Sequence, residues 1–157
     1  MNYTQNDKIF QVKELSLVVG VDIGSDIHYA RAFDWRGIEV CGTFKFENNN
    51  FGFEQFNNWI SDIQEKNKKL DVIIGAEPTG HYWFCLGEYL KTAKRRLVLV
   101  NPYHVKRTKG LDDNNPSKAD RIDPKPIARL VIEGRYLEPN IPEGVFSDLR
   151  IVNNNRL

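Results

Sequence analysis

Leu15-Ser16-Leu17-Val18-Val19-Gly20-Val21-Asp22-Ile23 is an apolar, β-branched run that carries a carboxylate near its end and stops at Gly24-Ser25-Asp26. Such a run reads as a strand buried on both faces, ended by a turn. Leu70-Asp71-Val72-Ile73-Ile74-Gly75-Ala76 repeats the pattern and delivers Glu77 just before Pro78-Thr79-Gly80. In open α/β sheets, reactive groups gather beyond the carboxyl ends of the strands. Asp22 and Glu77 are both placed there.

Outward from these two runs the remaining elements follow by period. Residues 27–34 and 38–46 alternate as two further strands, each joined to its predecessor by a short turn, so the first three strands form an antiparallel meander. Asn48-Asn49-Asn50 offers an N-cap for a helix over 51–68, with Phe53, Phe56, Trp59, Ile60 and Ile63 on one buried face. Residues 82–92 read as a helix with Trp83, Leu86 and Leu90 inward, and 96–100 as a fifth strand stopped by Asn101-Pro102. Residues 103–117 read as a loop. A helix over 126–136 follows, with Ile127, Leu130 and Val131 inward, and the spacing of Val145, Phe146, Leu149 and Val152 begins another. The expected class is α/β: a mixed five-stranded sheet, its first three strands antiparallel, flanked by helices.

At 157 residues the chain is long enough for one domain with its own core. No apolar run has the length of a membrane span, and the first fourteen residues fit neither a signal nor a transit peptide. Cys41 and Cys85 do not make a disulfide scaffold or a metal-ligand spacing, and read as small core residues of a reduced, cytoplasmic protein. The net charge of +1 conceals an asymmetry: residues 1–90 carry 8 Lys/Arg against 13 Asp/Glu, whereas residues 91–129 carry 11 against 4. A basic segment of this kind supplies sequence-independent affinity for nucleic acid, or simply solvates a surface.

Within that basic segment lies Lys118-Ala119-Asp120-Arg121-Ile122-Asp123-Pro124-Lys125. Asp120 and Asp123 are one helical turn apart. Pro124 disfavours helical backbone at Asp123, so the helix is expected to start at or after Pro124, with both aspartates on its approach. Spacing alone leaves open a plain N-cap role for Asp123 and a charge pairing of Asp120 with Arg121 or Lys118. The combination says more. Two-metal phosphoryl-transfer sites require several carboxylates converging on cations about 3.5–4 Å apart, and Asp22, Glu77, Asp120 and Asp123 could form such a set.

Several motifs, in order, resemble those of the DEDD-type transposases and Piv-type site-specific recombinases. Val19-Gly20-Val21-Asp22-Ile23-Gly24-Ser25-Asp26-Ile27-His28 is similar to the first motif and Gly75-Ala76-Glu77-Pro78-Thr79-Gly80-His81-Tyr82-Trp83 to the second. Val98-Leu99-Val100-Asn101-Pro102-Tyr103-His104-Val105-Lys106 resembles the family's strand and Asn-Pro stretch, and Lys118 to Asp123 its paired aspartates. Where the family usually has Ala after the second aspartate, this chain has Pro124. The resemblance implies an RNase H-like, RuvC-like fold in which Asp22, Glu77, Asp120 and Asp123 are catalytic and bind Mg²⁺ or Mn²⁺ beside DNA. It implies an insertion-sequence transposase acting in DNA transposition and recombination, with homo-oligomers in the full-length protein. Family members carry a further C-terminal domain with a catalytic serine, and some use a guide RNA encoded by the element. On this basis residues 1–14 are expected to be a polar leader, 15–139 the RuvC-like catalytic domain, and 140–157 the start of a helix leading to a domain that is absent here.

The basic set for phosphate contacts is Lys106, Arg107, Lys109, Lys118, Arg121 and Lys125, which would bind without reading sequence. Thr79, His81 and Tyr82 follow Glu77 into a helix N-terminus, a natural phosphate position. Asp26 and His28 read as exposed turn residues, or alternatively as supports for the acidic site. Competing readings are a stand-alone junction nuclease, a non-catalytic nucleic-acid-binding module, and a phosphate-binding fragment of the sugar-kinase and actin type.

Overall fold

The computed structural model describes residues 4–112 and 123–139. Five strands, β1 (Ser16–Asp22), β2 (Ile27–Phe33), β3 (Glu39–Glu47), β4 (Asp71–Ala76) and β5 (Arg96–Leu99), form one sheet in the order β3-β2-β1-β4-β5. β1 is antiparallel to β2, and β2 to β3, while β1–β4 and β4–β5 are parallel. This is the mixed five-stranded sheet expected from the sequence, with its first three strands antiparallel.

The central strand β1 is buried along almost its whole length, because helices cover both faces. On one face Leu17, Val19 and Val21 meet α2 (Asn50–Asn67) and α3 (Phe84–Thr92) through Phe53, Phe56, Ile60, Leu86 and Leu90. Phe46 of β3 stacks on Phe56 with ring centroids 4.3 Å apart. Each such fully buried side chain contributes about 1.5–3 kcal/mol. On the other face Val18, Ile73 and Val98 meet Ile127, Leu130 and Val131 of α5 (Lys125–Ile132).

That second face depends on two glycines paired in register, Gly20 of β1 and Gly75 of β4. A Cβ on Gly20 would lie 2.3 Å from the Pro124 carbonyl oxygen, and one on Gly75 would lie 2.5 Å from Val131 Cγ2. No real Cβ tolerates such distances. The missing side chains therefore let α5 lie directly on the strands.

Four features differ from the sequence reading. The leader contains a helix, α1 (Gln5–Phe10), closed by a capping box between Thr4 and Asp7. It is fastened to the segment that follows α5, since Gln5 Nε2 donates to the Glu133 carbonyl at 3.0 Å and Lys8 Nζ to that of Tyr136 at 2.7 Å. The expected loop over 103–117 begins as a helix, α4 (Pro102–Asp112); its remainder, 113–117, lies outside the described residues. Asn101 Oδ1 accepts the Tyr103 amide at 2.8 Å and Pro102 takes the first helical position, the pairing of N-cap and proline that starts helices. The last described helix ends at Ile132 instead of 136: Gly134 turns with φ +74°, and Leu137 then exchanges two backbone hydrogen bonds with Leu99. Finally, Cys85 is exposed and Cys41 half-buried, because α3 turns Leu86 and Leu90 inward and Cys85 outward. The helix expected from residue 143 lies outside the described residues.

Candidate active site at the carboxyl ends of β1 and β4

The parallel register of β1 and β4 runs through Val21 opposite Ala76, so the next step sets Asp22 opposite Glu77. Gly20 and Gly75 face α5, and strand alternation turns the acids two residues on toward the same side. α5 closes the arrangement. With its first turn seated on Gly20, the Asp123 amide donates to Asp22 Oδ2 at 3.1 Å. The sequence thus reaches the site by three routes: two strand ends supply acids, two glycines admit a helix, and Pro124 keeps Asp123 just outside that helix.

Burial is the main cause that pushes the Asp22 carboxyl above its ordinary value; the Asp123 charge adds to it, while Lys109 and the Asp123 amide oppose it. Glu77 is also raised, first by burial and then by the charge of Asp22, again with Lys109 in opposition. Two neighbouring carboxylates that resist ionisation form a pole that gains from any cation placed on it. Their donor atoms are all oxygen, which suits a hard divalent ion. The fit is with Asp22 and Glu77. Among the described residues no three acidic, His or Cys side chains form a ready cation cage. Asp123 turns one carboxylate oxygen, Oδ1, to Arg31 Nη1 at 2.7 Å and to the Lys125 amide at 3.0 Å. Asp120 lies outside the described residues, as do Lys118 and Arg121.

Of the expected phosphate-binding set, Lys109 on α4 is brought to the acidic pair, where its charge acts on both carboxyls. Lys106 and Arg107 are exposed on the same helix, and Lys125 is exposed at the start of α5. Thr79, His81 and Tyr82 are exposed in the segment after Glu77, but α3 starts only at Phe84, so they form a turn ahead of the helix.

His28 is a correction. Asp26 is exposed, as expected, but His28 is fully buried: it belongs to β2, where alternation places it with Ala30 and Ala32 against α2. Its Nδ1 accepts the Gly24 amide at 3.1 Å, which assigns the proton to Nε2, and burial pushes the imidazole below its ordinary 6.5, an interaction with the Asn48 side chain partly offsetting this. Asn48 Nδ2 in turn donates to the Ser25 carbonyl at 3.0 Å and to that of Tyr82 at 3.4 Å. His28 and Asn48 therefore fasten the turn after Asp22 to the segment after Glu77. Arg31 is a further residue the sequence did not mark, since its partner Asp123 is 92 positions away.

Comparison with known proteins agrees in the family. No curated protein matches the chain. Among solved structures, T. thermophilus RuvC in complex with a Holliday junction substrate is similar at 12% identity over 78% of this chain and 99% of that one, TM-score 0.46. A second Thermus thermophilus RuvC structure is similar at 12% identity over 86% and 90%, TM-score 0.40. The ethanolamine utilization protein EutJ from Carboxydothermus hydrogenoformans reaches 19% identity over 70% and 47%, TM-score 0.37. At such scores these likenesses add nothing to the site. The family model of the IS110-type DEDD transposases, described as a transposase, matches residues 19–157 and so spans all the acidic motifs. The chain belongs to the DEDD transposase family of the IS110 type.

Proposed function

We propose that this chain is the metal-binding, DNA-handling domain of an insertion-sequence transposase, in which Asp22, Glu77, Asp120 and Asp123 hold Mg²⁺ or Mn²⁺ during DNA transposition. The observation that carries this reading is the pairing of Asp22 with Glu77 at adjacent ends of parallel strands, both carboxyls raised, with the Asp123 amide on Asp22. Bound divalent metal would supply positive charge to a phosphate ester and an acidified water. The chain's own residues do the rest. Asp22 and Glu77 bind the cation from the sheet, and Asp123 does so from the start of α5. Lys109 lies beside the acids, while Lys106, Arg107 and Lys125 are exposed to neutralise a DNA backbone. Such contacts weaken steeply with salt. Residues 15–139 are taken as the catalytic unit, acting with the serine-bearing domain that the family carries; a guide RNA and homo-oligomerisation belong to the same reading. Among the described residues no helix is long and apolar enough to cross a membrane.

The test is made in a complete transposase containing this domain. Asp22→Asn and Asp120→Asn, introduced separately, should each abolish recombination while circular dichroism and melting show an intact fold. Undiminished recombination in both variants would sink the metal-site reading. The 157-residue chain alone should give little strand transfer; efficient cleavage of branched DNA by it would favour a stand-alone junction nuclease. Protection from proteolysis by ATP but not by Mn²⁺ would favour the kinase-like alternative instead.

A further inference from the structure

We propose that Arg31 is a positioning residue for the acidic site: it anchors one oxygen of Asp123 so that the other is presented toward the cation, and Glu39 fixes Arg31 in that task. The inference rests on the reading of Asp123 as a metal ligand.

The contacts divide the Asp123 carboxylate in two. Oδ1 accepts both Arg31 Nη1 at 2.7 Å and the Lys125 amide at 3.0 Å, while Oδ2 accepts no hydrogen bond among the described residues. The backbone of Asp123 is fixed as well, through its amide on Asp22 Oδ2 at 3.1 Å. With the backbone and Oδ1 both tied, little rotational freedom remains to the group, and one oxygen is left for a ligand. A carboxylate held this way loses less entropy on metal binding than a free one.

Arg31 is itself over-determined. It pairs in register with Gly20, so it emerges from β2 on the side of the sheet that α5 covers. Its Nε donates to Glu39 on β3, and its guanidinium lies 5.4 Å from the centre of the Phe33 ring. Its side chain is only 22% exposed, so the pairs are shielded more than surface ones. The result is a line of alternating charge, Glu39–Arg31–Asp123, running across β3 and β2 to the start of α5. Because a guanidinium does not lose its proton, this positive charge is permanent and stands beside the acids whether or not a cation is bound.

The same contacts could serve the opposite end, with Arg31 competing against the cation for Asp123. Mn²⁺ affinity of the full 157-residue chain, read by electron paramagnetic resonance, separates the two. Arg31→Ala should weaken Mn²⁺ binding about 10-fold, the usual cost of losing a group that orients a metal ligand. Arg31→Lys should recover part of that loss, since one ammonium can reach Asp123 but cannot also hold Glu39. Glu39→Gln should show a smaller loss. Asp123→Asn should weaken binding at least as much as Arg31→Ala, and adding Arg31→Ala to it should cost nothing more. Tighter binding in Arg31→Ala would overturn positioning in favour of competition. Unchanged binding in Arg31→Ala alongside weakened binding in Asp123→Asn would overturn positioning alone. Unchanged binding in Asp123→Asn would instead remove the metal-ligand reading of Asp123. If Arg31→Ala does not fold, Arg31→Lys and Glu39→Gln carry the test, and full affinity in both overturns the proposal.

Discussion

Asp34 sits just past β2, at the end of the β1–β2 ribbon opposite to Asp22, and its carboxylate is saturated. Oδ1 accepts the amides of Arg36 at 2.8 Å and Ile38 at 2.9 Å, and Oδ2 accepts Arg36 Nη2 at 3.0 Å and Nε at 3.3 Å. Burial alone would raise its pKa; the two amides and the Arg36 guanidinium more than reverse this and hold the carboxyl below its ordinary range. Asp22 has one hydrogen bond to its carboxylate among the described residues, and burial wins. The two aspartates differ in supply of donors. A buried carboxylate whose acceptors are filled is a staple for a turn, here one closed by Gly37 at φ +90°. One with a single donor among the described residues, set beside a second acid, has acceptor capacity to spare for a cation.

The sharpest way to break the acidic pole leaves its acids untouched. Gly20→Ala would push a methyl group into the Pro124 carbonyl and lift the start of α5, and with it the Asp123 amide, off Asp22. The expected loss of stability is about 3 kcal/mol in urea unfolding, the upper range for overpacking. Gly42→Ala is the control, because nothing lies within 4 Å of a Cβ built there. If the two substitutions cost the same, the close approach of α5 is not what positions Asp123.

The same chemical change should have opposite effects at the two aspartates. Asp34→Asn turns an amide group toward the Arg36 guanidinium and removes a charged acceptor, at a cost of about 2 kcal/mol. Asp22→Asn keeps an oxygen for the Asp123 amide and removes a charge that burial disfavours, so the metal-free protein should be equally or more stable. Equal losses in both would erase the distinction between staple and site.

pH should separate them further. Asp22 and Glu77 have folded pKa values raised from ordinary values of 3.8 and 4.5, so their contribution to stability is full below those values and is lost as pH rises through the folded ones. Asp34, lowered from 3.8, contributes stability above that value and loses it as pH falls through its folded pKa. His28 behaves like Asp34 in sign: lowered from 6.5, it stabilises above 6.5 and loses that contribution on acidification. Since metal needs ionised carboxylates, Mn²⁺ should raise the melting temperature more at pH 7.5 than at pH 4.5. The increment should persist in Asp34→Asn and vanish in Glu77→Gln; an increment that survives Glu77→Gln contradicts the assignment.

How much of this was legible follows from the range of the interactions. The strands and the placement of Asp22 and Glu77 at their ends were readable, because burial on both faces writes itself as an unbroken apolar run. α4 was not, since among its residues with described side chains only Val105 is buried and most of the others are polar or charged, which resembles a loop. Asn101-Pro102 was the available signal, and it reads as a helix start as readily as a strand stop. His28 lies in a strand whose alternation could have shown it buried, yet its nearness to a turn favoured exposure. Arg31 and Gly20 could not be found locally. Their roles come from contacts with Asp123 and Pro124, about a hundred residues on, which no periodicity encodes.

The smallest expected effect bears on what makes Asp34 a staple. The Arg36 side chain is 59% exposed, against 8% for that of Asp34, so water screens the pair from one side. Exposed ion pairs contribute at most about 1 kcal/mol, and Arg36→Ala should cost about 0.5 kcal/mol. The two amide hydrogen bonds to Oδ1 remain in that variant, and they are what Asp22 lacks: it has a single amide, brought by α5 from another part of the chain. If Arg36→Ala instead costs as much as Asp34→Asn, countercharge and not backbone amides holds Asp34. Lys109, whose charge already opposes the raised carboxyls of Asp22 and Glu77, would then be the countercharge to remove next.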